Sequence, residues 1–270
     1  MRLARLRVEG RSIVAIEHRG LLYRVDRLDR ALGAPVPDEL RAQAGLFQTR
    51  VFAMGGVGLD DHEVELDDGT MLDDCCVEPG TLLAWLPPWG EGGTLHELGP
   101  GDELPRPIGG RAVRGHEVRA PGLEAGALQV SPALALIVRD DLHLPGLDEV
   151  ERALFGVSLG LAWRSPEAGQ RGFDRLPGTH LGPWLVTPVP GGEVALTMTA
   201  RGGRPAVQAR VALGPIVARA ARALTALGRH QDLTAGDAVL ALLPDTLEVE
   251  PGETVTLIAD GVGELRGRVG

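Results

Sequence analysis

An α+β, β-dominated fold is predicted, from two patterns. Short runs of alternating apolar and polar residues, punctuated by glycine, recur at both ends of the chain: 2–8, 12–16 and 21–25 near the start, 254–259 and 264–269 near the finish. Only one long segment, 214–228, carries an apolar stripe at helical spacing. With 270 residues, 44% of them hydrophobic, the chain suits one large domain or a small domain joined to a core domain.

Taken in order, residues 2–8 (R-L-A-R-L-R-V) alternate until Gly10, and Gly20 separates the next two strands into a small N-terminal β meander. Residues 36–47 begin a helix after Pro37. The acidic stretch 60–78 places Val64 and Leu66 between charges around an Asp68-Gly69 turn. Its spacing does not fit a calcium loop, so a solvated hairpin is expected. Residues 86–125 are rich in Gly and Pro and are expected to be irregular, a linker or lid anchored by Trp85 and Trp89. From Leu128 the pattern becomes regular: a strand at 134–138, a short helix at 147–154 capped by Asp148, a strand at 155–161, and the helix 214–228. In that helix Ile216, Val217, Ala220, Ala223, Leu224 and Leu227 share one face and Gly228 ends the run. Strands follow at 238–243, 254–259 and 264–269. The division is a small N-terminal β domain (1–70), a Gly/Pro-rich linker or lid (71–125) and a core domain (126–270).

Composition narrows the chemistry. Net charge is −10 with no long basic run, which argues against nucleic-acid binding. All 27 basic residues are arginine, and neither lysine nor asparagine occurs. No lysine Schiff base, P-loop lysine or N-glycosylation acceptor is therefore available. The two cysteines, Cys75 and Cys76, are adjacent and are not expected to pair. No apolar run approaches a membrane span, and a cytoplasmic protein is expected.

Three stretches carry a family resemblance. They are R-G-F-D-R-L-P-G-T-H-L-G-P-W-L-V-T (171–187), L-T-A-G-D-A-V-L-A-L-L-P (233–244) and E-V-E-P-G-E-T-V-T-L-I-A-D-G-V-G-E-L-R-G-R-V (248–269). In their order and spacing they resemble the fumarylacetoacetate hydrolase superfamily, with Thr234–Asp237 and Pro251–Glu253 matching its two "pGD" turns. The opening strand resembles its N-terminal domain. The resemblance implies a mixed β-sheet roll, usually dimeric. It also implies hydrolysis, decarboxylation or isomerisation of small oxo or diketo acids, with Mg2+ or Mn2+ polarising the substrate's carbonyl.

The same alignment shows departures. Ser131 and Ala133 stand where the family has its E-x-E metal ligands, and Leu161 falls near its Asp position. Ala241-Leu242-Leu243-Pro244 replaces its Gly-Thr-Pro substrate loop. Arg171 replaces its Lys, Asp174 is retained, and His180 follows. Arg171, Asp174 and His180 are the candidate catalytic residues: Arg171 as a carboxylate clamp paired with Asp174 on a loop, and His180 as a general base or acid on a surface loop beside them. No metal ligand set is assigned and no cofactor is expected; Mg2+ or Mn2+ would bind only at an altered site, for which His116-Glu117 and Asp140-Asp141-x-His143 are the alternatives. A small-molecule oxo acid is the implied ligand, and a homodimer or a dimer with a paralogue the implied assembly. Two readings stand: an enzyme with an altered site, or a non-catalytic homologue that binds a ligand or supports an active paralogue.

Overall fold

The computed structural model describes residues 2–8, 11–18, 20–24, 76–77, 81–82, 94–108, 113–116, 119–120, 128–164, 178–200, 205–250 and 252–269. The helix expected after Pro37, the Asp68-Gly69 hairpin, Trp85, Trp89, Arg171 and Asp174 lie outside them.

The N-terminal meander forms as the alternation predicts. Strands β1 (Arg2–Val8), β2 (Arg11–His18) and β3 (Leu21–Arg24) pair antiparallel, with Leu3 opposite Ile16 and Glu17 opposite Leu22. Ala4, Leu6, Ile13, Ala15 and Leu22 form a small core against which Trp184 packs. Short strands β4 (Cys76–Val77) and β5 (Thr81–Leu82) pair with β3 and β1.

The Gly/Pro-rich region is less irregular than its composition suggests. It contains β6 (Leu95–Leu98), β7 (Arg106–Ile108), β8 (Val113–Arg114) and β9 (Arg119–Ala120). Each is four residues or fewer and depends on partners distant in sequence, so no local periodicity marks it.

The remainder runs β10 (Leu128–Val138), α1 (Leu147–Ala153), β11 (Leu154–Arg164), β12 (Gly178–Leu181), β13 (Trp184–Val186), β14 (Glu193–Thr199), β15 (Pro205–Ala212), α2 (Leu213–Leu227), β16 (Ala238–Leu242), β17 (Leu247–Val249), β18 (Thr254–Ala259) and β19 (Gly263–Val269). β10 and β11 are longer than the runs 134–138 and 155–161. Both are buried on both faces, which removes alternation, and Pro132 interrupts the apolar run of β10. α2 matches its expected span. Helix α1 has Gly146, not Asp148, at its N-cap, with no side-chain capping bond; Asp148 sits in the first turn.

Two sheets result. The fourteen-stranded sheet has the central order β4-β3-β2-β1-β13-β11-β10-β16-β6-β7, and β15-β14-β18-β19-β9 form the other. Pairs β6/β16, β8/β12 and β9/β19 are parallel and the rest antiparallel, so the sheets are mixed. The main core lies between them: Leu134, Leu136, Leu159, Leu161 and Trp163 meet Leu196, Met198, Leu257 and Leu265, with Ala220 and Leu224 of α2.

One buried carboxylate ties this frame together. Asp237 is 2% exposed, and its two oxygens accept from the backbone N–H groups of Thr94 (2.5 Å) and Thr234 (2.8 Å). It closes the turn before β16 and aligns β6 beside that strand. Replacing Asp237 with Ala leaves two N–H groups without their carboxylate, and we expect a loss of about 3 kcal/mol in a denaturant titration.

His96, on β6, is 2% exposed, and neither ring nitrogen has a hydrogen-bond partner among the described residues. Burial pushes its pKa below the ordinary 6.5, more than the charge of Asp237 raises it. Its share of stability is therefore complete above the unfolded value, near 6.5, and is lost as pH falls through the lower folded value. Between pH 8 and pH 5, His96→Leu should show a smaller fall in melting temperature than the native chain.

Candidate functional site

The two-residue period of β10 divides its side chains. Pro132, Leu134 and Leu136 face the main core, and Ser131, Ala133, Ala135 and Ile137 face the other way. Across the ladder Ser131 pairs with Ala162, Ala133 with Gly160 and Ala135 with Ser158. Thr179 and Leu181 of β12 continue the first two rows. On the other side Leu242 and Leu240 of β16 pair with Ala133 and Ala135, and Glu97 of β6 pairs with Leu240.

This register puts Leu161 on the opposite face from Ser131 and Ala133. Leu161 pairs with Pro132 and points into the core, so Ala162 is the β11 residue that shares a face with Ser131. The three β10/β11 positions that face one another here are Ser131, Ala133 and Ala162, all at most 4% exposed.

The space over Gly160, opposite Ala133, is filled by hydrocarbon. A Cβ added to Gly160 would collide with Leu240 Cδ1, with Ala133 Cβ at 3.4 Å and Leu181 Cδ2 at 3.6 Å. The face carries hydroxyls rather than carboxylates at its centre. Ser158 Oγ donates to Gly182 O (3.4 Å), and Thr179 Oγ1 is buried with no partner among the described residues. Its charged groups lie at the margin, where Arg164 forms an ion pair with Glu97, whose side chain is 6% exposed. The strands that carry them, β11 and β6, are separated by β10 and β16. Their meeting requires the sheet to curl toward the Ser131 face.

His180 is not on a surface loop. It lies in β12, fully buried, opposite Leu161. Its Nδ1 accepts a hydrogen bond from Trp163 Nε1 at 2.8 Å, with the rings edge to face at 5.8 Å between centroids. That acceptor role places the neutral ring's proton on Nε2. Gly267 makes room for the ring: a Cβ there would lie 2.9 Å from His180 Cγ. His180 therefore occupies the core side of β11/β12, opposite to the face that carries Ser131. The missed signal was strand alternation through G-T-H-L, too short to detect without its partner.

The alternative histidine clusters are dispersed. His143 Nδ1 bonds Asp232 Oδ1 at 2.6 Å, Asp141 accepts from Ala235 N, Asp140 pairs with Arg139, and His116 Nδ1 accepts from Arg266 N. Among the described residues no group of three or more His, Cys, Asp or Glu converges to hold a metal ion. Glu117 lies outside them.

Because Gly160 is closed by Leu240, Gly160→Ala should destabilise the chain by about 2 kcal/mol. Leu240→Ala in the same chain should recover part of that loss, a coupling read from a double-mutant cycle in urea.

No protein-family model and no curated protein sequence matches the chain. Solved structures do. A fumarylacetoacetate hydrolase from Exiguobacterium antarcticum superposes with a TM-score of 0.68 at 16% identity, covering 100% of this chain and 99% of its own. A 5-carboxymethyl-2-hydroxymuconate delta-isomerase from Mycobacterium smegmatis does so with 0.67 at 16%, covering 100% and 99%. The maleylpyruvate hydrolase from Sphingobium sp. SYK-6, solved with manganese(II) and pyruvate, matches with 0.67 at 14%, covering 100% and 98%. Among its described residues, the chain has the β-dominated fold of these hydrolase and isomerase structures.

Proposed function

We propose that this protein is a divergent member of the fumarylacetoacetate hydrolase superfamily. In this reading the ancestral chemistry on small oxo or diketo acids no longer runs through a divalent metal, and turnover is altered or absent. The observation that carries the reading is the β10/β11 register with its filling: Ser131, Ala133 and Ala162 share one face, and Leu240 and Leu181 close the space over Gly160 beside Ala133.

Mg2+ and Mn2+ require several oxygen ligands, and carboxylates supply the charge that offsets dehydration. One hydroxyl among methyl groups does neither, so the residues at these positions do not fit the family's metal. Glu97 does not substitute, because its carboxylate is neutralised by Arg164 at the margin. Arg171, beside Asp174 in sequence, remains the candidate clamp for a ligand carboxylate, since guanidinium binds carboxylates bidentately. His180 contributes by holding Trp163 and the β11/β12 pair, a positioning role. The protein then acts as a ligand-binding module, or as the partner subunit of an active paralogue, in a homodimer or a paired dimer.

The test is calorimetric titration of Mg2+ and Mn2+ together with assays on oxaloacetate and acylpyruvates. We expect no stoichiometric binding at millimolar metal and no metal-dependent turnover. Saturable binding at one equivalent would overturn the reading. As a complement, the combined variant Ser131→Glu, Ala133→Glu, Ala162→Asp, Leu240→Ala should gain Mn2+ affinity at least tenfold over the native chain.

A further inference from the structure

A cavity of about 510 Å³ opens where β15 runs into α2 and β16 ends. That volume lies in the range of small-molecule sites. Its lining is mostly apolar: Val211, Pro215, Ile216, Leu242, Leu243 and Pro244. Ile216, Leu242 and Leu243 are at most 8% exposed and form its floor.

One cation is built into the wall. Arg219 Nη1 donates to Gly99 O at 3.4 Å and Nη2 to Leu242 O at 3.1 Å, so the guanidinium is held between the ends of β6 and β16. Its Nε is buried with no hydrogen-bond partner among the described residues. Burial lowers its pKa from the ordinary value, a sign that the charge is incompletely solvated; Asp102 offsets part of this. An arginine already fixed in place spares a ligand the entropy of ordering it. At the mouth, exposed Arg210 and Asp245 carry opposite charges, leaving Arg219 as the unbalanced one among the lining residues.

We propose that this cavity binds an amphipathic monocarboxylate, its apolar tail on Ile216, Leu242 and Leu243 and its carboxylate on Arg219. A two- or three-carbon oxo acid would satisfy the guanidinium but leave the apolar floor wet. A divalent cation would meet only one acidic side chain, Asp245, in the lining. The site does not depend on whether the Ser131 face binds a metal.

The test is calorimetric titration of the full chain with decanoate, below micelle formation and in the presence of EDTA, beside decanamide as the uncharged counterpart. We expect saturable one-to-one binding of decanoate, at least tenfold tighter than decanamide. Arg219→Gln should reduce decanoate affinity about tenfold and leave decanamide unchanged. Should Arg219→Gln fail to fold, Val211→Trp fills the cavity from a half-exposed strand position and should abolish binding of both probes. Equal affinity for the two probes, absence of saturable binding, or native affinity in Val211→Trp would overturn the proposal. So would occupation of the cavity by a second copy, seen as self-association that decanoate does not displace.

Discussion

The antiparallel pairing of β10 with β11 is the constraint on which the rest depends. Nine residue pairs lie in one register, from Gln129 opposite Arg164 to Ile137 opposite Gly156, before a shift brings Val138 opposite Leu154. Because side chains alternate, this register alone decides which residues meet the core and which meet the Ser131 face. A slip of one residue would send Leu134, Leu136, Leu159 and Trp163 away from the small sheet and α2. The energy of the main core thus enforces the geometry of the opposite face. β12, β13, β16 and β17 then add to these two strands and inherit their alignment.

Buried polar groups supply the precision that apolar packing lacks. Asp237 accepts two backbone N–H groups and thereby sets the start of β6 against β16. Arg219 performs the matching task at the far end of the same strands, on Gly99 and Leu242 carbonyls. Between these anchors sit His96 and Glu97, neighbours that face opposite sides of the sheet. His96 enters an apolar environment as a neutral ring, whereas Glu97 is matched by Arg164. Hydrogen bonds to charged groups are worth more than those between neutral ones, so a strand of four residues can be held firmly by such contacts at its margins.

The proposed function rests on the side chains of one sheet face, not on the fold. The facing positions of β10 and β11 hold Ser131, Ala133 and Ala162, and Leu240 and Leu181 close the space over Gly160. Leucine at 240 and glycine at 160 complement each other in shape, which makes the filled state a packed and stable one. Leu242 and Leu243 give the end of β16 an apolar character, and a cavity opens there. Fold and function are separable, so the side chains of a site decide its chemistry.

Local pattern was enough for the β-dominated class, the N-terminal meander, helix α2 and the terminal strands, because alternation and the 3.6-residue stripe are written in neighbouring residues. The fold resemblance was also legible, through turn glycines and Asp237 at fixed offsets. Tertiary structure alone decided the rest. β6, β7, β12 and β13 are too short to show a period and exist because of partners far along the chain. The placing of Ala162 on the Ser131 face and of Leu161 on the other, and the burial of His180 against Trp163, depend on strand register, which no single segment contains. The meeting of Arg164 with Glu97 and the cavity beside Arg219 arise only when the sheet curls and α2 docks, since proximity across strands is a property of pairing and packing rather than of sequence spacing.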